Sequence, residues 1–355
     1  MLPTTSSVVM KLKDLSEFGL IERIRMRFPH SGIGEDCAIL SGLGPKLLLF
    51  TTDLLIEGSH FETSRTDPFR LGFKALSVNL SDIAAMGGTP RFYLVSLGAP
   101  PSTPVPVLDE LYSGMEAASQ GASLVGGDTC KAPAIMIGIS LIGEVEEDGL
   151  ILRSGAKPGD GIYVSGTLGD SALGLKALDE ARKGRTDLPS AYAIDEDVQA
   201  KFGPQALPLI GRHLSPRARL KLGQGLSRLR LPSAMIDVSD GLISDLGHIC
   251  RESRVGATIY LNRIPLSEEF KALAPTLGGD IETALSGGED YELLFTAPAL
   301  PEDKIKEMGG EVGITCIGEI TPEPGIRILD ERGQEFKPRR GRGWDHFRDE
   351  LGETL

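Results

Sequence analysis

A turn-rich stretch in mid-chain, DGLILRSGAKPGD (148–160), constrains this chain most, because short Leu- and Ile-rich runs and helix-length segments lie on both sides of it. That pattern predicts an α/β (α+β) chain of two domains, 1–147 and 148–355. The length of 355 residues agrees, since single hydrophobic cores stop growing below that size.

In the first half, residues 15–28 have apolar positions at helical spacing behind Ser16 and end toward Pro29, which predicts a leading helix. MKLKDLSEFGLIERI reads as a natural opening, so residues before Met10 are expected to be an extension or an upstream start. GIGEDCAIL and KLLLFTTDLLIEGSHF read as strands, with Asp36 and Asp53 near their edges. Asp67-Pro68 predicts the start of a helix that runs through FRLGFKALSVNLSDIAA to Gly87-Gly88, with Asn79 and Asp82 on one face. A helix over 107–120 leads to a strand, ASLV, and a turn, GGDT; IMIGISLIGEV then closes the block. In the second half IYVSG resumes as a strand, 182–197 reads as a loop, and Ser215-Pro216 opens a helix.

The halves echo one another: VNLSD (78–82) and IDVSD (236–240), GGD (126–128) and GGE (287–289), LIGEV (141–145) and CIGEI (316–320) occur in the same order. Either a duplication or the chance recurrence of Gly-acid turns accounts for this.

Chemistry concentrates in acids set among Gly, Ser and Thr: Asp36, Asp53, Asp82, Asp128, Asp237, Asp240, Glu289 and Asp290. Clustered carboxylates repel by roughly 4 kcal/mol per close pair at an effective dielectric near 20, so they need cations to coexist. Hard oxygen donors, with the hydroxyls of Thr51, Thr52 and Ser239 nearby, favour Mg²⁺ over zinc. There is no GxxxxGK[ST] and no paired H-R-D and D-F-G, so neither a P-loop nor a protein-kinase catalytic loop is present. A bound nucleotide would therefore depend on metal ions held by carboxylates, with Arg153 among few basic residues to help.

The net charge of −13 argues against a nucleic-acid partner. Cys37, Cys130, Cys250 and Cys316 stand singly, which excludes a zinc ribbon and fits a reducing, cytoplasmic setting. No apolar run is long enough to span a bilayer, so no membrane partner is expected.

Taken together, GIGEDCA, TTD, HF, KALSVNLSDIAAMGGTP, GGDT, RSGAKPGD, IDVSDGLISDL, GGEDYELLF and GWDHF resemble the thiamine-monophosphate kinases, over nearly the whole chain. The wider superfamily includes aminoimidazole-ribotide synthetase and selenophosphate synthetase. The resemblance implies the two-domain aminoimidazole-ribotide synthetase-like fold, with an N-terminal sheet that pairs across a homodimer and a C-terminal α/β domain. It implies the last step of thiamine diphosphate synthesis, from ATP and thiamine monophosphate. Asp36, Thr51, Thr52, Asp53, Asp82, Asp128, Asp237 and Asp240 correspond to a set for several Mg²⁺ ions, with Asp36, Asp82 and Asp240 catalytic. Gly127, Asp128, Arg153, Ser239 and Tyr112 correspond to ATP contacts, and His60, Glu289 and Trp344 to contacts with the thiamine phosphate. Glu35-Asp36-Cys37 stands where the family commonly has two aspartates and an alanine. Selenophosphate synthesis would want a reactive cysteine in an N-terminal loop, and none precedes Cys37.

Overall fold

A computed structural model describes residues 17–27, 34–42, 44–183 and 194–339. The expected Trp344 contact, and the opening segment with Met10 and Ser16, lie outside the described residues.

The N-terminal part runs α1 (Glu17–Arg27), β1 (Ala38–Leu40), β2 (Leu47–Ile56), α2 (Pro68–Ala85), β3 (Thr89–Ala99), α3 (Val105–Ala118), β4 (Ser123–Lys131) and β5 (Met136–Val145). Its sheet has the order β1-β2-β5-β3-β4, antiparallel except for β3 with β4. Helix α2 begins where capping chemistry predicts, since the Asp67 carboxylate accepts from Arg70 N at 2.9 Å and Pro68 fills the first turn. It lies across one face of the sheet and against α3. That helix crossing is close: a Cβ on Gly72 would sit 1.8 Å from Leu111 O, and one on Gly114 1.9 Å from Phe69 O.

The C-terminal part runs β6 (Gly161–Ser165), α4 (Asp170–Arg182), α5 (Ile194–Phe202), α6 (Leu207–Leu214), α7 (Leu220–Leu229), β7 (Ala234–Asp237), α8 (Leu242–Ser253), β8 (Gly256–Tyr260), α9 (Glu268–Leu277), α10 (Ile281–Ser286), β9 (Leu293–Ala297), α11 (Glu302–Gly309), β10 (Ile314–Thr321) and β11 (Gly325–Leu329). The order is β11-β8-β10-β6-β9-β7. Strand periodicity sends Ile162, Val164, Ile236 and Leu294 into a core shared with α4, α6, α8 and α9. It sends Tyr163, Met235, Leu293 and Phe295 the other way, into the core of the N-terminal part. The two parts therefore share one apolar contact, which ion pairs such as Arg70 with Asp195 reinforce.

Several expectations need correction. Of GIGEDCAIL only Ala38–Leu40 forms a strand, and Asp53 lies inside β2 rather than at its edge. GGDT is not a turn but part of β4. The β3–β4 register skips a residue between Leu124 and Gly126, a β-bulge, and a Cβ on Gly127 would sit 2.0 Å from Val95 O. The glycines admit close backbone approach instead of reversing the chain. Ser215-Pro216 ends α6, and α7 begins only at Leu220. Of the expected loop at 182–197, the end is already helical, in α5. Of the echoed pairs, VNLSD lies on a helix and IDVSD runs off the end of a strand, GGD lies in a strand and GGE in a loop, while LIGEV and CIGEI both lie in strands, β5 and β10.

Candidate active site between the two domains

Strand β2, helix α2, the approach to β1 and the end of β7 converge at the domain junction. Carboxylate oxygens of Asp36, Asp82 and Asp237 lie within 4.8 Å of one another. Alternation along β2 turns Thr51 and Asp53 toward α2, where Thr51 Oγ1 donates to Asp82 and Asp53 N donates to Asn79 Oδ1 at 3.2 Å. From the position just before Asp82 on α2, Ser81 Oγ reaches across the domains to Asp237 at 2.6 Å. The Arg153 guanidinium donates through Nε to Asp36 Oδ1 at 3.1 Å, while its backbone N–H holds Glu35 at 2.6 Å. The other oxygen of Asp36, Oδ2, is buried without a hydrogen-bond partner.

One arginine among four acids leaves the group short of positive charge. Burial, followed by Asp53, Asp237 and Asp36, pushes the Asp82 carboxyl well above its usual range. Burial lifts Asp53 to about 6. Burial and Asp36 lift Asp237 to about 7, against the pull of Ser81 and Arg153. Burial works against the charge on Arg153 too, yet Asp36 outweighs it and keeps the guanidinium protonated. Cys37 is buried and pushed high by burial, so it is an inert thiol; its N–H points at Met86 Sδ, 3.1 Å away. An orphaned buried oxygen amid protonation-prone carboxylates and hydroxyls fits a hard divalent cation such as Mg²⁺.

Asp240 adjoins this group and forms a second one with Asp245 and His248. Sequence reasoning passed over Asp245, whose Oδ2 accepts from Asp240 N and Gly241 N at 3.1 and 3.0 Å and so shapes the entry to α8. An acid in the first turn of a helix was the available signal. Asp290, grouped by sequence with the site acids, instead accepts from Gly169 N and Ser171 N at the start of α4, a structural role.

Glu289 stands at the rim of the junction, hooked on by a 2.7 Å bond from its N–H to Ser239 O. Lys74 Nζ lies 2.6 Å from its Oε1 and His213 Nδ1 3.2 Å from its Oε2. Burial would raise its pKa, but the Lys74 ammonium holds it below the usual range, with His213 beside it as a neutral N–H donor. His60 Nδ1 accepts from Ile56 N at 3.1 Å, which leaves the proton on Nε2. Sequence reasoning missed Lys74 and His213, although a lysine within the apolar and small residues of α2 was a signal.

The remaining candidates stand elsewhere. Thr52 points to the opposite face of the sheet from Thr51 and bonds Ile139 O at 2.9 Å. Gly127 and Asp128 lie on β4, which is exposed along its whole length, with Asp128 paired in register to Ser96. Tyr112 packs against the N-terminal core from α3.

Comparison with known proteins agrees with this two-part layout. The chain belongs to the AIR synthase related proteins: the model of their N-terminal domain matches residues 34–145 and that of their C-terminal domain residues 157–331. Within that class it is a member of the thiamine-monophosphate kinase family. It is 37% identical to the Aquifex aeolicus thiamine-monophosphate kinase over 95% of this chain and 100% of that one. With the Escherichia coli K12 thiamine-monophosphate kinase the identity is 39%, over 93% and 98%. A solved structure of AaThiL complexed with AMPPCP and TMP superposes with a TM-score of 0.80 at 37% identity, covering 96% of this chain and 100% of that one.

Proposed function

We propose that this protein transfers the γ-phosphoryl group of ATP to the phosphate of thiamine monophosphate, giving thiamine diphosphate and ADP. The observation that carries the reading is the convergence of Asp36, Asp82 and Asp237, with a buried unpaired oxygen, in a chain alike over 95% of its length to a thiamine-monophosphate kinase. The acceptor oxygen is a phosphate oxygen, already ionised near neutral pH, so no general base is needed. The obstacle is repulsion between two anions, and the task of the site is alignment and charge compensation.

Asp36, Asp53, Asp82, Asp237 and Asp240, with Thr51, are the residues that would hold Mg²⁺. When bound, Mg²⁺ would neutralise the phosphates and charge developing on the transferred group. Arg153 donates to Asp36 and Gly34 O and has N–H donors to spare, which suits it to a phosphate oxygen. Ser239 and Asp240 follow β7, at a strand end of the kind where ligands bind in α/β folds. His60 and Glu289 border the acceptor end. Trp344 and Tyr112 keep the roles that the resemblance implies.

A homodimer is part of this reading. Phe50, Leu54, Phe92 and Leu94 are 39–50% exposed on the uncovered face of the N-terminal sheet, an apolar patch of the kind that marks an interface. A second copy pairing there would cover the patch and bring its Gly127 and Asp128, with Thr52, into a shared nucleotide site. We take 1–147 and 148–355 as the domains and the cytoplasm as the setting; among the described residues no helix is long and apolar enough to cross a membrane.

The test is an assay with ATP, Mg²⁺ and thiamine monophosphate, followed by chromatography for thiamine diphosphate and ADP, with free thiamine and an aminoimidazole ribotide as control acceptors. Equal formation of both products from thiamine monophosphate alone is the expected result. Turnover of a control in its place overturns the assignment.

A further inference from the structure

Resting on that reading, we infer that Lys74 and His213 are positioning residues for acceptor recognition, which together clamp the Glu289 carboxylate from both sides and aim its free lone pairs at the acceptor's amino-bearing, cationic end. Each carboxylate oxygen has one protein partner, Lys74 Nζ at 2.6 Å and His213 Nδ1 at 3.2 Å. A carboxylate has about four acceptor sites, so two stay available, and the side chain is 31% exposed. The clamp itself is closed off: the side chains of Lys74 and His213 are 3% and 8% exposed.

Three further features separate this arrangement from an ordinary ion pair. Glu289 has a φ of +66°, a backbone conformation rare outside glycine that persists where the surroundings impose it. Its N–H bonds Ser239 O at 2.7 Å, and a Cβ on the preceding Gly288 would come 2.5 Å from that same oxygen. The carboxylate is thus fixed to the loop after β7 that also bears Asp240. Secondly, burial first and then Lys74 push His213 down to about 3, so its ring is neutral. An ionised Glu289 then requires the ring proton on Nδ1, with Ser171 Oγ, 3.1 Å from the same nitrogen, as a further acceptor. Thirdly, Lys74 and Asp82 are eight positions apart on α2, about two turns, so they share a face roughly 12 Å apart along the axis. One helix thereby sets the cation-holding carboxylates at one end and the Glu289 clamp at the other. That span suits an acceptor whose phosphate must reach the metal end while its aminopyrimidine and thiazolium rings lie beyond.

The test measures KM for thiamine monophosphate, KM for ATP and kcat in Lys74→Met, His213→Leu, Glu289→Gln and the double variant Lys74→Met/Glu289→Gln, in the full-length protein. Lys74→Met is expected to raise KM for thiamine monophosphate about thirtyfold and His213→Leu about fivefold, each leaving KM for ATP within about twofold. His213→Asn, which keeps a donor near Nδ1, is expected to recover most of that loss. In the Glu289→Gln background Lys74→Met is expected to add nothing, since its effect passes through the missing carboxylate. The double variant also removes both buried charges, which keeps the comparison open if Lys74→Met alone folds poorly. Equal losses for both substrates, or a Lys74→Met effect undiminished in the Glu289→Gln background, overturn the clamp while the kinase reading stands. A wild-type protein that makes no thiamine diphosphate overturns the kinase reading and the clamp with it.

Discussion

The two faces of the N-terminal sheet divide the expected cation-binding set unequally. The face covered by α2 presents Thr51 and Asp53 beside Asp82, Asp36 and Asp237. The uncovered face presents Thr52, and Asp128 lies on the exposed β4, three strand spacings from β2 or roughly 14 Å away. A strand's period of two forces this division, because the neighbouring side chains of Thr51 and Thr52 cannot reach one cation from the same side. The C-terminal sheet offers no such division, since Ile162 and Val164 are buried on one face and Tyr163 and Phe295 on the other. A sheet sandwiched on both faces is complete in one chain. A sheet with Phe50, Leu54, Phe92 and Leu94 in the open is the face on which the proposed second copy would pair.

The largest effect is expected on the covered face. Asp82→Ala should lower turnover at least about a thousandfold, because one of the three converging carboxylates that would hold Mg²⁺ is lost. Its melting temperature should be unchanged or higher: losing the Thr51 bond costs about 1 kcal/mol, and removing one of four crowded carboxylates offsets that. Near-normal turnover would remove Asp82 from the site. On the open face, Leu94→Glu should keep the fold, since Leu94 is already 44% exposed, but yield monomers by sedimentation with at least a tenfold loss of activity. A mixture of Asp82→Ala and Asp128→Ala chains then sharpens the comparison. If Asp128 serves its partner's site, mixed dimers contain one intact site and random mixing restores about a quarter of wild-type activity. No recovery on mixing would mean that each chain uses its own Asp128.

What the sequence disclosed follows the range of the interactions concerned. Helix α2 was legible at both ends because Asp67-Pro68 and Gly87-Gly88 act within a few residues of where they stand. The acids were legible because Gly, Ser and Thr around them mark backbone approach and hydroxyl donors. The two glycines of GGDT were misread, since only the register with β3 decides between a turn and a bulge. Lys74 and His213 were missed because their common partner, Glu289, is far off along the chain. Asp290 shares the motif of Glu289, and only the fold reveals that its two oxygens are taken up by the start of α4.

The smallest effect concerns stability, and it again separates the covered face from the open one. Asp53 and Asp237 rise from the ordinary aspartate value to about 6 and about 7 in the folded protein. A raised carboxyl binds more protons folded than unfolded, so its contribution is full below about pH 4 and is lost as pH climbs through the folded value. Metal-free protein should therefore lose several degrees of melting temperature between about pH 5 and pH 7.5. Mg²⁺ binds the deprotonated group and is expected to restore most of that loss, with a shift that grows across the same window. In the monomeric Leu94→Glu background, Asp53→Asn should flatten the metal-free profile and blunt the Mg²⁺ shift, whereas Thr52→Val on the open face should leave both as they are. Calorimetry of the two variants with and without Mg²⁺ decides it: a Thr52→Val profile as altered as that of Asp53→Asn would mean that the faces act on one cation within a single chain.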